Sequence, residues 1–229
     1  MSVAVVMAAG LGTRLRPLTE RWPKPVLPVD GRPVIVTLLH ELAAGGFDSF
    51  VVVTGHLAEQ VEELVTPLPY RIRLASQAEP LGSADAVRHA AVEPPFLVTA
   101  ADTVYTRGDP GRFWRAFEGS GAAGAISMRR QPGRPAANRI RAEDGRVVRV
   151  VDASDESGFT AAPLMAVGPA VAAQISAGLP GPPFELAAAF QHVIDAGERV
   201  EAIEIGKTRD LTDPLDLVEE NFPYLNRTT

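Results

Sequence analysis

The chain has 229 residues, 46% hydrophobic and 22% charged, as is typical of a globular protein with a sizeable core. Its net charge of -6 argues against a surface that follows nucleic-acid phosphates. No apolar run reaches the roughly 18 residues of a membrane span, the first residues lack the basic region of a signal peptide, and cysteine is absent. We therefore expect a cytoplasmic protein that binds neither nucleic acid nor membrane and contains no disulfide or thiolate metal site.

Short apolar runs alternate with helical patterns through the first part of the chain. In chain order we predict strand Val3–Met7, helix Val34–Ala44, strand Ser49–Thr54, helix Ala58–Val65, strand Arg71–Ser76, helix Ser83–Ala91, strand Phe96–Ala100, helix Pro110–Glu118 and strand Gly124–Met128. This alternation predicts βαβ units and an α/β fold with a mostly parallel sheet. Ligands of such folds bind at the carboxyl ends of the strands.

The second part of the chain begins with a hairpin signal. Asp144-Gly145 separates two apolar runs, Asn138–Arg141 and Arg146–Val151. Beyond them we predict strand Leu164–Val167, helix Phe184–Ala196, strand Val200–Ile205 and a closing helix from Pro214. Two segments are predicted as loops: 178–183 between helices, and 129–137, which is either a mobile segment over the functional site or an ordinary surface loop.

A glycine-rich turn follows the first predicted strand and reads Ala8-Ala9-Gly10-Leu11-Gly12-Thr13-Arg14. Such a turn exposes consecutive backbone N–H groups that suit a phosphate, and glycine lacks the Cβ that would keep the ligand away. Arg14 and Lys24 add two positive charges, so we interpret the segment as a triphosphate-binding loop. It is neither a Walker loop nor a dinucleotide fingerprint, because Leu15 replaces the third glycine and no Gly-Lys-Ser/Thr follows.

Lysine is rare in this chain. Only Lys24 and Lys207 occur, against 20 arginines. An ammonium is a compact point charge that a planar guanidinium does not replace well. Both lysines are therefore candidates for a functional role.

The string from Gly10 to Thr19, followed by Pro23-Lys24-Pro25, resembles the G-x-G-T-R-x-x-P-x-T and P-K-P signature of the sugar-1-phosphate nucleotidyltransferases. The resemblance implies a Rossmann-like fold and transfer of a nucleotidyl group from an NTP to a phosphorylated acceptor, with release of pyrophosphate. It implies catalytic roles for Arg14 and Lys24. It also implies that nucleotide is bound by Ala8, Ala9, Gly10, Gly12 and Thr13.

Two carboxylates are candidates for holding Mg²⁺. Asp102 follows the apolar run 96–101, at the edge of the sheet where a phosphate-bound ion would lie. The family has a similar Asp, usually after Gly rather than Ala101. Asp210 lies in a segment, 206–217, that resembles the family's late motif G-K-x-x-D-[IV]-x-T-P-E-D, whose first Asp completes the metal site. Asp213, before Pro214, is predicted to be a helix N-cap instead.

The segment from Gln77 to Ala84 resembles the family's Q-x-x-x-L-G-[ST]-A, which reads the nucleobase. The resemblance assigns Gln77, Gly82 and Ser83 to nucleotide binding. An amide offers both a donor and an acceptor, which matches the imide edge of uracil or thymine and favours UTP or dTTP. Ser83 is also predicted to be the N-cap of the following helix.

The acceptor half departs from the family's pattern. The usual Glu-Lys-Pro after the hairpin is missing, and Thr160-Ala161-Ala162 replaces the usual Asn-x-Gly. Asp152 and Lys207 remain as acceptor-binding candidates. We expect a single domain, with a nucleotide-binding half at about 1–128 and a small β-rich acceptor-binding half at about 129–229.

Three functions follow from these observations. The first is transfer of UMP or dTMP to a sugar 1-phosphate, and the second is cytidylyl transfer to a small alcohol or polyol phosphate such as phosphocholine or inositol phosphate. The third is a non-catalytic, nucleotide-sugar-binding regulatory subunit, although Arg14, Lys24, Asp102 and Asp210 are all present. A glycosyltransferase of similar topology would be expected to carry Asp-x-Asp, which is absent after the fourth strand.

Overall fold

The computed structural model describes residues 2–130 and 139–222. The strands are β1 (Val3–Ala8), β2 (Pro28–Val29), β3 (Arg32–Pro33), β4 (Ser49–Thr54), β5 (Arg71–Ser76), β6 (Phe96–Ala100), β7 (Thr103–Val104), β8 (Gly124–Arg130), β9 (Arg141–Glu143), β10 (Arg146–Arg149), β11 (Phe159–Val167), β12 (Val200–Glu204) and β13 (Arg209–Asp210). The helices are α1 (Val34–Ala44), α2 (Ala58–Val65), α3 (Ser83–Ala90), α4 (Asp109–Ser120), α5 (Pro169–Ala177), α6 (Leu186–Asp195) and α7 (Pro214–Asn221).

The main sheet contains nine strands in the order β5-β4-β1-β6-β11-β8-β12-β10-β9. Strands β10 and β11 run opposite to the other strands of this sheet, which all point the same way. The predicted α/β fold with a mostly parallel sheet is therefore confirmed. The strands of both halves of the chain belong to this one sheet.

Hydrophobic clusters cover both faces of the sheet, because successive residues of a strand point to opposite sides. In β1, Ala4 and Val6 join one cluster and Val5 joins the other. Helices α1, α2 and α4 supply Leu38, Val61 and Phe113 to the first cluster. Helices α3, α5 and α6 supply Val87, Val171 and Phe190 to the second. Helices thus cover both faces of the sheet, and the loops at the ends of its strands are available to form a site.

Most predicted elements agree with the structure to within two residues, and the differences lie in the second half. Strand β11 begins at Phe159, five residues before the predicted start, because a register shift lets the strand continue past Pro163. Helix α5 was not predicted as an element, although the loop at 178–183 does lie between helices. Of the predicted mobile segment, 131–137 is outside the described residues, and 129–130 belongs to β8.

The late motif returns to the sheet edge through a short pairing. Strand β13 pairs antiparallel with β7, which places Asp210 opposite Thr103. Asp213 is the N-cap of α7, as predicted, and forms a capping box with Asp216. Among the helices that the structure describes, none combines the length and hydropathy that crossing a bilayer requires.

Candidate active site

A cavity of about 390 Å³ lies at the carboxyl ends of β1 and β6. Eleven of the residues singled out from the sequence line it: Ala8, Ala9, Gly10, Gly12, Thr13, Arg14, Lys24, Gln77, Gly82, Ser83 and Asp102. These residues come from four separate stretches of chain, so the fold gathers them at one place. The roles assigned to them from the sequence stay predictions.

The glycine-rich loop is held from inside the protein. Gly12 adopts a left-handed conformation with φ of 61°, and its carbonyl accepts hydrogen bonds from the Thr19 hydroxyl and the Leu15 N–H, both at 2.9 Å. A Cβ on Gly12 would lie 2.8 Å from Thr19 Cγ2, whereas a Cβ on Gly10 would have no atom within 4 Å. Gly12 is therefore required by the fold, while Gly10 leaves open space on the side of the cavity.

This difference between the two glycines gives a testable prediction. Gly12→Ala should destabilise the protein by about 1–2 kcal/mol, because a left-handed residue with a side chain is strained. Gly10→Ala should keep the melting temperature of the parent and raise the KM for NTP, because its methyl group enters the space where phosphates would contact the loop. Thermal denaturation and steady-state kinetics measure both. An unchanged KM in Gly10→Ala would mean that the loop does not contact the nucleotide.

Two ion pairs dominate the electrostatics beside the cavity. Lys24 binds Asp102, with side chains 18% and 21% exposed, and Arg129 Nη1 lies 2.6 Å from Asp210 Oδ2, with side chains 8% and 10% exposed. The two acidic residues are neighbours, since the N–H of the residue after Asp210, Leu211, donates to the Asp102 carbonyl at 3.3 Å. The backbones of Asp102 and Asp210 thus lie close together, and each carboxylate is neutralised by its own cation.

The carboxylates fit a divalent cation. Asp210 Oδ1 is buried and has no hydrogen-bond partner among the described residues, which is unfavourable unless a donor or cation reaches it. No group of three or more His, Cys, Asp or Glu suited to a metal occurs within 2–130 and 139–222. An ion here would rely on Asp102, Asp210 and oxygens of a ligand, a donor set that suits Mg²⁺.

Arg209 fixes the strand that carries Asp210. Its guanidinium donates two hydrogen bonds to the Asp30 carboxylate, at 2.5 and 2.9 Å, and also binds Glu220. The hydrogen bond from Arg209 lowers the pKa of Asp30, and the same bond raises the pKa of Arg209. These contacts connect β13 to the loop after β2 and to α7, so Asp210 is held in place from two sides.

Tyr105 is a buried residue that follows β7 and contacts β11. Its side chain is buried, and burial raises its pKa well above the ordinary value. The hydroxyl therefore stays protonated and donates to the Pro163 carbonyl at 2.9 Å. Tyr105 connects the segment after β6 to β11 and is not placed to exchange protons with a ligand.

At the other end of the cavity, Gln77 is buried and its orientation is fixed. Its Nε2 donates to the Gly82 carbonyl at 3.1 Å and to Asp85 Oδ2 at 2.7 Å. Burial opposes ionisation of Asp85, but the hydrogen bonds from Gln77 and Arg88 and the nearby positive charges outweigh it and hold the pKa of Asp85 below its ordinary value. Both amide hydrogens of Gln77 are used in this way. The expectation that Gln77 presents a donor and an acceptor to the base is therefore corrected: only Oε1, an acceptor, remains.

The neighbouring Gly82 and Ser83 fix the approach of α6. Gly82 has φ of 118°, and a Cβ there would lie 2.4 Å from the Phe184 carbonyl oxygen. The Ser83 hydroxyl donates to Glu185 at 2.6 Å and accepts from the Leu186 N–H at 2.8 Å. Ser83 is thus the first residue of α3 rather than its N-cap, and its hydroxyl serves the start of α6, which corrects that prediction.

The structure does not bring the two acceptor-binding candidates to the cavity. Asp152 lies in a surface turn, where its carboxylate accepts from the Ser154 N–H and hydroxyl. Lys207 is exposed, and its carbonyl accepts from Thr106. Neither residue lines the cavity.

Three residues of the site were missed in the sequence. Glu185 and Thr212 line the cavity, and Arg129 pairs with Asp210. No motif marks Glu185, and Thr212 lies at an unspecified position of the late motif. Arg129 belongs to the segment 129–137 that the sequence predicts as a loop, and its burial depends on β8 extending to Arg130.

Comparison with known proteins agrees with this geometry. The profile of the family described as "Nucleotidyl transferase" matches residues 3–139, more than half of the chain. The bifunctional protein GlmU of Pelotomaculum thermopropionicum is 34% identical over 164 residues, covering 67% of this chain and 34% of that protein. The 2-aminoethylphosphonate cytidylyltransferase of Lancefieldella rimae is 49% identical over 57 residues, covering 25% and 23%. Over four curated relatives, the matched region spans only 10% to 34% of their length.

Two solved structures share the fold over nearly the whole chain. The inositol-1-phosphate CTP transferase from T. maritima has a TM-score of 0.81 at 19% identity and covers 94% of this chain and 91% of that one. The UDP-glucose pyrophosphorylase from Acinetobacter baumanii has a TM-score of 0.84 at 20% identity and covers 100% and 95%. At these identities the structures show the fold alone, whereas the profile match shows the family. The chain belongs to the nucleotidyl transferase family.

Proposed function

We propose that the protein transfers a nucleotidyl group from an NTP to a phosphorylated small-molecule acceptor and releases pyrophosphate. The observation that carries this proposal is the cavity in which the glycine-rich loop, Lys24 and Asp102 meet, beside the Arg129–Asp210 pair. Backbone N–H groups and cations, together with nearby carboxylates, suit a polyphosphate that carries a divalent cation.

The reaction requires positioning and neutralisation of charge rather than a covalent nucleophile on the enzyme. An acceptor phosphate oxygen attacks the α-phosphorus in line, a new P–O bond forms, and the bond to pyrophosphate breaks. Arg14, which is exposed on the cavity and has no ion pair among the described residues, would bind the leaving phosphates. Lys24 would bind the α-phosphate and the incoming acceptor oxygen, where negative charge builds up.

Asp102 and Asp210 would hold Mg²⁺, which when bound supplies positive charge to the phosphate oxygens. The neighbouring backbone positions of Asp102 and Asp210 and the unpartnered Asp210 Oδ1 support this assignment. The protein's own part is to keep Asp102 and Asp210 fixed. Arg209 does so for β13, and the Thr103 hydroxyl donates to Asp102 Oδ1 at 3.2 Å.

The nucleobase would lie against Gln77. Its free acceptor, Oε1, can receive the N3–H of uracil or thymine, which supports UTP or dTTP with a sugar 1-phosphate as the first candidate pair. The same oxygen can receive the amino group of cytosine. This single acceptor favours a second candidate, cytidylyl transfer to a small alcohol or polyol phosphate, and relatives with both uridylyl- and cytidylyltransferase names match the chain.

A pyrophosphate-release screen tests the function. ATP, GTP, CTP, UTP and dTTP would each be combined with sugar 1-phosphates, phosphocholine, inositol phosphate and an aminoalkylphosphonate, with Mg²⁺. We expect pyrophosphate only when a pyrimidine nucleotide and an acceptor are both present. Nucleotide binding without pyrophosphate from any pair would contradict the proposal and support a non-catalytic regulatory subunit.

A further inference from the structure

Arg129 is buried in a way that needs an explanation. Among residues 2–130 and 139–222 it is the only buried basic side chain, with 7% of its surface exposed. Arginine is rarely buried unless it is paired. The next residue, Arg130, points to the other face of the sheet, where it lies 4.2 Å from the ring centre of Phe159 and is 65% exposed. Burial is therefore specific to Arg129 and is not shared by the neighbouring Arg130.

The pairing of Arg129 leaves hydrogen-bonding capacity unused. Nη1 lies 2.6 Å from Asp210 Oδ2, but neither Nη1 nor Nε forms a hydrogen bond of good geometry in the described part of the chain. The other carboxylate oxygen of Asp210 is also without a donor. A structural ion pair is expected to satisfy these groups, because each buried unsatisfied donor is unfavourable. The guanidinium therefore has two donor nitrogens, Nε and Nη1, that a further anion could use.

The position of Arg129 indicates which anion this is. Strand β8 is separated from β6 by β11, so Arg129 lies beyond Asp102, as seen from Gln77 and the end of β5, and next to Asp210. Arg129 does not line the cavity proposed for the nucleotide. In an in-line transfer the acceptor approaches the α-phosphorus opposite the leaving pyrophosphate. The acceptor's anionic group would therefore arrive on the side of the carboxylates where Arg129 lies.

We propose that Arg129 binds the tetrahedral anionic group, phosphate or phosphonate, of the acceptor. This inference rests on the proposed function. A guanidinium fork matches two oxygens of such a group. A divalent cation held by Asp210 would compete with Arg129 for this carboxylate and would leave the Arg129 guanidinium available for the acceptor. Arg129 thus supplies, from β8, a cation in the half of the chain where the Glu-Lys-Pro lysine is missing.

The test compares Arg129→Met and Arg129→Lys with a matched control, Arg130→Met, on the neighbouring outward-facing residue. In steady-state kinetics, Arg129→Met should raise the acceptor KM by roughly 10- to 100-fold, the effect of losing a charged hydrogen bond, and leave the NTP KM within about 2-fold. Arg129→Lys should give an intermediate acceptor KM, since it keeps the charge and loses the fork. Arg130→Met should match the parent protein.

A second arm does not depend on turnover. Mn²⁺ titrated into the protein without nucleotide should bind more tightly to Arg129→Met than to the parent, because the cation that competes for Asp210 is gone. In phosphorus NMR, the Mn²⁺-loaded parent should broaden the signals of inorganic phosphate and methylphosphonate, and Mn²⁺-loaded Arg129→Met should broaden them less.

If neither Mn²⁺ binding nor the phosphorus line width differs between the parent and Arg129→Met, the proposal is overturned even if no substrate pair reacts. If pyrophosphate is released and the acceptor KM is unchanged in Arg129→Met, the proposal is overturned while the proposed function stands. Should Arg129→Met fail to fold, an unchanged acceptor KM in Arg129→Lys has the same meaning.

Discussion

Lys24→Ala should lower turnover by about a hundredfold or more while the protein stays folded. Lys24 lines the cavity and pairs with Asp102, and no other described lysine lines it. Its ammonium would meet negative charge that develops on the α-phosphate and acceptor during transfer. Stability should change little, because both partners of the Lys24–Asp102 pair are partly exposed and water can solvate the remaining carboxylate. Pyrophosphate release at saturating substrates measures the effect.

Two further variants make the Lys24 prediction specific. Lys24→Arg should remain well below the parent in turnover, because a planar guanidinium does not occupy the place of a compact ammonium. Arg115→Ala removes an exposed basic side chain from α4, outside the cavity, and should turn over like the parent. Equal turnover in Lys24→Ala and the parent would remove Lys24 from the reaction.

Asp102→Asn should be comparably damaging, with a loss of turnover of about a hundredfold or more. The substitution keeps the size of the side chain and removes the charge that is proposed to hold Mg²⁺. The loss should be partly recovered at high Mg²⁺, since one carboxylate, Asp210, remains. Turnover as a function of Mg²⁺ concentration and Mn²⁺ binding in the presence of NTP are the measurements.

The control for Asp102→Asn is Asp48→Asn, which removes a carboxylate from the exposed turn between α1 and β4. It should leave both turnover and the Mg²⁺ dependence unchanged. If Asp102→Asn retains the Mg²⁺ dependence of the parent, Asp102 does not hold the ion. The metal assignment would then have to be abandoned.

The fold was predictable because most strands of the first half are short apolar runs that alternate with helical patterns. Strands β4, β5 and β6 and helices α1 and α2 begin and end at the predicted residues. That the glycine-rich loop would line a cavity was predictable for a related reason: its glycines and charged residues are close in sequence. Where chemistry depends on a contiguous segment, the pattern of residue types is sufficient.

Features that depend on contacts between distant segments were not predictable. Arg129 and Asp210 meet only because β13 pairs with β7. The amide nitrogen of Gln77 is unavailable to a ligand because it donates to the buried Asp85 carboxylate. Asp152 was proposed from its place after the hairpin, yet its carboxylate is used within its own turn. The irregular β11 was underestimated because Pro163 interrupts its pattern.

The most direct test of the account is a crystal structure of the protein with Mn²⁺ and a non-reactive UTP or CTP analogue. We predict that the triphosphate lies along the loop of Gly10 and Gly12, that Arg14 and Lys24 contact its oxygens, and that the anomalous signal of Mn²⁺ lies between Asp102 and Asp210. A triphosphate bound elsewhere, or a metal remote from both carboxylates, would contradict it.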